Sequence, residues 1–233
     1  MSSLRIVLCR PMHPGNIGSA ARAMKTMGIA DLRLVQPEKF PAKEAEWMAT
    51  NAADVLANAR VHPSLTEAIE DCVAAYGLTA RSREWAPATL DLRTAAGAAR
   101  ALDGNVAFVF GNEQAGLTND EMFACQHLVH IPASAEFSSL NLAQAVQVVA
   151  YELFMATAPS VHPGVKQKLA TVADREGLYE HLREAAMKSG FHVPESGSKL
   201  PERLRRLFSR VPELEREEVN IVRGLLKALL KRQ

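Results

Sequence analysis

The chain has 233 residues, of which 48% are apolar and 23% charged, a composition of ordinary globular proteins that argues against long disorder. The length suits one large domain, or a medium domain with a smaller one. The formal net charge is only +1, but Lys199–Gln233 carries 10 Lys+Arg against 5 Asp+Glu while residues 1–198 carry 17 against 21, so a polyanion would meet the tail rather than the body.

In chain order, Leu4–Cys9, Leu32–Val35, Cys72–Leu78, Val106–Phe110 and Leu128–Ile131 are short apolar runs bounded by polar residues, Gly or Pro, and predict strands. Helical patterns fall between them at Ile17–Met27, Ala52–Ala57, Leu65–Glu70 and Thr118–Ala124. Strands alternating with helices predict an α/β domain with a mainly parallel sheet covered on both faces. Leu140–Ala156 predicts one long helix whose buried face is set by Leu142, Val146, Val149 and Leu153. Pro159, Pro163 and Gly164 then interrupt the pattern. This divides the chain into a domain at 1–158, a linker at 159–169 and an extension at 170–233. The extension reads as all-helical, with Asp174–Ser189, Leu204–Phe208 and Glu213–Leu230 each amphipathic. Phe191 and Phe208 are expected in its core.

Cys9, Cys72 and Cys125 are odd in number and widely spaced, which fits a reducing compartment rather than a disulfide framework. The apolar stretch Ile6–Cys9 is too short for a signal peptide, and no run nears the roughly 18 apolar residues of a membrane span. The expected location is the cytoplasm, with no membrane partner. Cys125, His127 and His130 have metal-like spacing but run into a strand with no fourth ligand near, so no metal is expected.

Three segments concentrate hydrogen-bonding and small residues where a strand meets a helix. In Arg10–Arg22 a loop with Pro11, Pro14, Gly15 and Gly18 precedes a helix led by Asn16, a good N-cap. A helix start after a strand is a ready anion site, and Arg22 could grip a phosphate there. Taken alone, a capped helix with a solvated arginine is the plainer account, for the P-loop lysine is missing. In Phe108–Leu117 a buried strand ends at Gly111, and a polar loop holding Glu113 precedes Thr118–Glu121, which has capping-box form. Loops at the carboxyl ends of parallel strands are where such sheets bind ligands. In Ile131–Leu142 a strand leads into the long helix through Ser138, Ser139 and Asn141, more polar groups than one cap requires. The basic run Arg203–Arg210 is most simply a solvated helix face, and second a phosphate-tracking one.

Together and in this order, Asn16–Arg22, Phe110–Leu117 and Ile131–Leu142 resemble the motifs of the SPOUT methyltransferases, the class with a deep trefoil knot. Ala20–Gly28, Thr79–Arg83 and Glu215–Asn220, with the linker and basic tail, resemble its TrmJ-type branch, which methylates the ribose 2′-oxygen of cytidine or uridine 32 in the tRNA anticodon loop. The likeness covers nearly the whole chain; Asn112 departs from it, standing where that branch often carries Arg. The resemblance implies a knotted α/β fold that holds S-adenosylmethionine bent, with Ile131 and Leu140 meeting adenine through backbone and Thr79, Ala80, Arg81, Gly111, Ser138 and Ser139 completing the pocket. It also implies a homodimer, with Arg22 acting on substrate held in the partner's pocket and Asn16, Glu113, Ser139 and Asn141 positioning it. Arginine keeps its proton in proteins, so Arg22 fits a phosphate clamp and oxyanion stabiliser better than a base. Two other readings stay open: the same chemistry on ribosomal RNA, and a non-catalytic RNA-binding module.

Overall fold

The computed structural model describes residues 3–80, 89–134, 136, 138–156, 168–193, 198–211 and 213–231. Among these, the apolar runs form β1 (Ser3–Cys9), β2 (Asp31–Val35), β3 (Arg60–His62), β4 (Cys72–Leu78), β5 (Thr89–Asp91), β6 (Asn105–Phe110) and β7 (His127–His130). They lie in one sheet in the order β3-β2-β1-β6-β4-β7-β5, and every pairing is parallel. All carboxyl ends therefore point to one edge, and the loops after β1, β4, β6 and β7 leave from adjacent strands.

The strand faces alternate, so each strand feeds two cores. Leu4, Ile6 and Leu8 of β1 join the larger one, beneath α1 (Pro14–Thr26), α5 (Leu92–Ala101) and α7 (Leu142–Met155). Val7 and Cys9 join the smaller, beneath α4 (Leu65–Ile69) and α6 (Asn119–Ala124). Two further helices, α2 (Lys43–Ala49) and α3 (Ala53–Ala57), cover α1. Close approach of α1 to α2 depends on Gly18, where a Cβ would lie 2.1 Å from the Ala45 carbonyl oxygen. At the amino-terminal edge of the sheet Arg5, only 3% exposed, is held by Asp31 at 2.8 Å and Asp71 at 2.5 Å. It also donates to the Ala68 carbonyl at 2.9 Å.

Four elements lie outside the sequence expectation: α2, β3, β5 and α5. Three of them are weakly signalled for a physical reason. β3 and β5 are three residues long, and α5 buries mostly alanines (Ala95, Ala96, Ala99), which contrast little with its polar face. The first helix also begins earlier than expected. Its N-cap is His13 and Pro14 opens the first turn, a position that suits proline because the missing N–H is one the helix leaves unpaired.

The extension is helical, as its amphipathic pattern indicates: α8 (Val172–Lys188), α9 (Leu200–Phe208) and α10 (Arg216–Leu230). Ala170, Leu178, Leu214 and Val219 make its own small core. It also docks on the first domain: Val172 inserts into the second sheet core, and the Ala173 N–H donates to the Glu70 carbonyl at 3.3 Å. Arg205 of α9 pairs with both carboxylate oxygens of Glu176 and lies 4.7 Å over the Tyr179 ring. Phe208 packs against this core as expected, but Phe191 is 79% exposed and does not. Most of the expected linker, through residue 167, lies outside the described residues. Among the described residues no helix is long and apolar enough to cross a membrane.

Candidate active site at the carboxyl edge of the sheet

The three segments singled out in the sequence converge at the carboxyl edge. A single carboxylate joins the first two. Glu113, just beyond β6, accepts from the backbone N–H of Met12 at 2.9 Å and of His13 at 3.3 Å, and from the Asn16 side-chain amide at 3.0 Å. Burial disfavours its charge, but these donors outweigh burial and hold its carboxyl below the usual glutamate range. The third segment joins through Asn16, whose Oδ1 accepts from the Asn141 side-chain amide at 3.1 Å. Asn141 in turn caps α7, its Oδ1 accepting from Ala143 N–H at 2.9 Å and Gln144 N–H at 3.4 Å. One hydrogen-bonded line thus runs from the β6 loop across the start of α1 to the start of α7.

Asn16 is therefore not the cap that its sequence position predicts. It lies inside the first turn of α1 and spends both ends of its amide on the other two segments. Thr118 and Glu121 do form the expected capping box on α6.

Residues 112–116 form a tight hairpin closed by Asn112 N–H to Gly116 O at 3.2 Å and Gly116 N–H to Asn112 O at 2.8 Å. The Asn112 side chain braces it, accepting from Gln114 and Ala115 N–H at 2.9 and 3.2 Å and donating to the Arg10 carbonyl at 2.9 Å. Gly116 has φ +71°, and Gly111 packs so closely beneath the hairpin that a Cβ would lie 2.1 Å from the Gly116 carbonyl carbon. Both positions need glycine.

This hairpin is one wall of a cleft of about 180 Å³ whose other sides are Leu78 at the end of β4, Thr79 and Ala80 just beyond it, Ile131 after β7, and Ser138 to Leu140 before α7. Of the expected cofactor residues, Thr79, Ala80, Gly111, Ile131, Ser138, Ser139 and Leu140 line it together; Arg81 falls outside the described residues. Leu78, Phe110, Ile131, Leu142 and Ala145 supply an apolar part, the serines and loop backbone a polar one. Among the described lining residues Glu113 is the only ionisable side chain. That lining suits a flat base, a ribose and a cationic centre. S-adenosylmethionine, an adenosine carrying a sulfonium, fits these terms.

Arg22 does not join them. It is exposed on α1, outside the cleft lining, and makes no hydrogen bond or ion pair among the described residues. The sequence reading also passed over Arg10, which pairs with Glu121 and reaches the hairpin; a lone arginine at a strand end carries no signal by itself. Cys9, Cys72 and Cys125 are all buried, and burial pushes the Cys72 thiol up to about 12, so none is a ready nucleophile. No group of three His, Cys, Asp or Glu suited to a metal occurs among the described residues.

Residues 3–151 match the SpoU rRNA Methylase family. The chain belongs to the SpoU methylase family. Beyond that match, residues 173–233 of this SpoU chain match the C-terminal domain of the tRNA methyltransferase TrmJ. A Pseudomonas aeruginosa tRNA (cytidine/uridine/adenosine-2′-O-)-methyltransferase TrmJ is 44% identical over 97% of this chain and 93% of the relative. The tRNA (cytidine/uridine-2′-O-)-methyltransferase TrmJ of Pectobacterium atrosepticum is 42% identical over 99% and 98%. Among solved structures, TrmJ from Z. mobilis ZM4 is 35% identical with a TM-score of 0.85, covering 97% of this chain and 98% of that one. The chain thus belongs to the TrmJ group of SpoU methylases along nearly its whole length.

Proposed function

We propose that this protein transfers the methyl group of S-adenosylmethionine to the ribose 2′-hydroxyl of cytidine or uridine 32 in the tRNA anticodon loop, as a cytoplasmic homodimer. The observation that carries the reading is the line Glu113–Asn16–Asn141, which binds the start of α1 to the rim of a cleft suited to the cofactor. The full-length TrmJ relatives supply the class of RNA, and the basic tail agrees with it.

When bound, S-adenosylmethionine supplies an electrophilic methyl carbon on sulfur. The protein's share is alignment and charge. Ser138, Ser139 and the backbone at Ile131 and Leu140 hold the adenosine end, and the hairpin over Gly111 closes one side. Asn16, Ser139, Asn141 and Glu113 fix the approach of the ribose, where alignment alone is worth a large rate factor. Arg22 clamps a substrate phosphate and stabilises the oxygen as its proton leaves to phosphate or water. Because Arg22 stands outside its own chain's cleft, the reading gives it to the cleft of a second copy. Tyr151, Phe154 and Met155, exposed together near the end of α7, support a surface that another copy covers. Residues 1–158 carry the reaction, 159–169 link, and 170–233 present basic charge to RNA. The fold class implies a trefoil knot around Gly111 and Ile131–Leu142. Its support here is the sheet order, in which β7 lies between β4 and β5 although it follows both in the chain.

The test is incubation with labelled S-adenosylmethionine and either bulk tRNA or ribosomal RNA, followed by mapping of the modified nucleotide. Label in tRNA at the ribose of nucleotide 32 is the expected result. Label in ribosomal RNA alone would establish the same chemistry on the other substrate, and no label in either would leave an RNA-binding module.

A further inference from the structure

Two bodies meet at the active site: the hairpin 112–116, which walls the cofactor cleft, and the loop 10–13, which leads into α1 on the RNA side. Glu113 is one tie between them. Arg10 is the second, and it sits in an uncomfortable backbone conformation. Its φ is +50°, a region that L residues other than Asn and Asp rarely occupy, and Pro11 follows it, which further restricts its backbone. Such strain persists only where surrounding contacts fix it, and it concentrates at functional sites.

The contacts that fix Arg10 all lie on the hairpin side or in the sheet. Its backbone N–H donates to the Val35 carbonyl at 2.7 Å. Its guanidinium forks onto Glu121, Nε to Oε1 at 3.1 Å and Nη2 to Oε2 at 2.7 Å, and Nη2 also reaches the Gly116 carbonyl at 3.3 Å. Its own carbonyl receives the Asn112 amide at 2.9 Å. Glu121 is not free to follow the arginine, for the same carboxylate accepts from the Thr118 N–H at 2.7 Å in the α6 cap. Arg10 is thus bonded to both ends of the hairpin and to the helix that follows it, while its backbone leads directly into the RNA-facing loop.

We propose that Arg10 is a positioning residue that locks the cofactor hairpin and the RNA-facing loop into one body, so that cofactor and tRNA bind cooperatively through it. The proposal rests on the function given above. A ligand seated against the hairpin fixes Asn112 and Gly116, hence Arg10, hence the start of α1; by linkage, RNA on α1 steadies the hairpin in return. Loss of the fork leaves Glu113 and the Asn112 bond to the Arg10 carbonyl as the remaining ties.

The experiment measures S-adenosylhomocysteine affinity by calorimetry, and affinity for a tRNA transcript with and without S-adenosylhomocysteine. The wild-type protein is expected to bind the transcript about tenfold more tightly when S-adenosylhomocysteine is present, within the usual range of such coupling. Arg10→Ala is expected to lose most of that factor and to raise KM for S-adenosylmethionine more than it lowers kcat. Arg10→Lys keeps the charge without the fork and should recover the factor only in part. Glu121→Gln keeps the Oε2 position, which serves both the Thr118 N–H and Arg10 Nη2, but loses the charge and the acceptor of Arg10 Nε; like Arg10→Lys it should lose part of the factor, which carries the test should Arg10→Ala fold poorly. An unchanged coupling factor in folded Arg10→Ala, Arg10→Lys and Glu121→Gln overturns the proposal, as does a wild-type protein that binds both ligands independently. A wild-type protein that binds no S-adenosylhomocysteine at all overturns the function itself, a distinct result.

Discussion

Replacing Glu113 by Gln removes one oxygen acceptor and one charge while keeping shape. The carboxylate serves three donors, the N–H groups of Met12 and His13 and the Asn16 amide. A glutamine offers one oxygen. If it faces Asn16 and His13, the Met12 N–H meets an amine; if it faces Met12, the other two donors do. Asn16 cannot turn its amide over without meeting the Asn141 amine with its own. At least one hydrogen bond to a charged group is therefore lost, worth about 1.5–3 kcal/mol each. Glu113 is only half-buried, so we take about 2 kcal/mol, a factor of roughly 30 in the population of the aligned site. The assay is single-turnover methyl transfer to tRNA, run beside S-adenosylhomocysteine calorimetry. Transfer should slow about 30-fold, with a much smaller loss of cofactor affinity, and adding Asn16→Ala to Glu113→Gln should cost little more because the two act as a unit. The reasoning fails if transfer is unchanged, if affinity falls as far as rate, or if the two substitutions multiply.

Arg22→Ala should keep S-adenosylhomocysteine affinity within about twofold and lower turnover by about 10²-fold, as loss of one oxyanion donor does; normal methylation would remove Arg22 from the site. Mixed with Gly111→Ala, itself expected to lose cofactor, Arg22→Ala should regain activity, because a hybrid dimer pairs an intact arginine with an intact cleft; no recovery would refute the shared site. Gly18→Ala drives a Cβ into the Ala45 carbonyl and should destabilise by about 3 kcal/mol, lowering Tm by roughly 6–12 °C; a Tm within about 1 °C of wild type would show that α1 and α2 separate freely. Burial raises the Asp31 carboxyl, but Arg33 and Arg5 outweigh it, and Arg5 draws Asp71 down as well, so both lie below the usual carboxylate range. They stabilise the fold above the unfolded value of about 4 and cease to as pH falls through their folded values. Urea midpoints should therefore drop between about pH 5 and pH 3, and Arg5→Met should flatten that fall; an equal slope in the variant would mean that other carboxylates carry it.

Periodicity alone marked the longer strands and helices, because a buried face repeats along the chain every two residues or every 3.6. It missed α5, whose buried face is alanine, and β5, whose three residues are too few to show a period. The glycines and polar residues of the three site segments were visible in the same way, and their order carried the family resemblance. Their partners were not. Nothing in sequence spacing says that Glu113 accepts from a loop a hundred positions earlier, or that Asn16 caps no helix and bridges the β6 loop to the start of α7.

The sequence by itself determined the α/β class, the helical basic tail and the candidate residues, since each is written in local pattern and composition. Tertiary structure decided what those residues touch. Parallel strands in the order β1-β6-β4-β7 bring the ends of four distant segments to one edge. Only there do Arg10, Asn112 and Glu121 become one brace, and only there is Arg22 seen to stand outside the cleft of its own chain. Hydrogen bonds of this kind act over about 3 Å, a distance that chain separation does not measure.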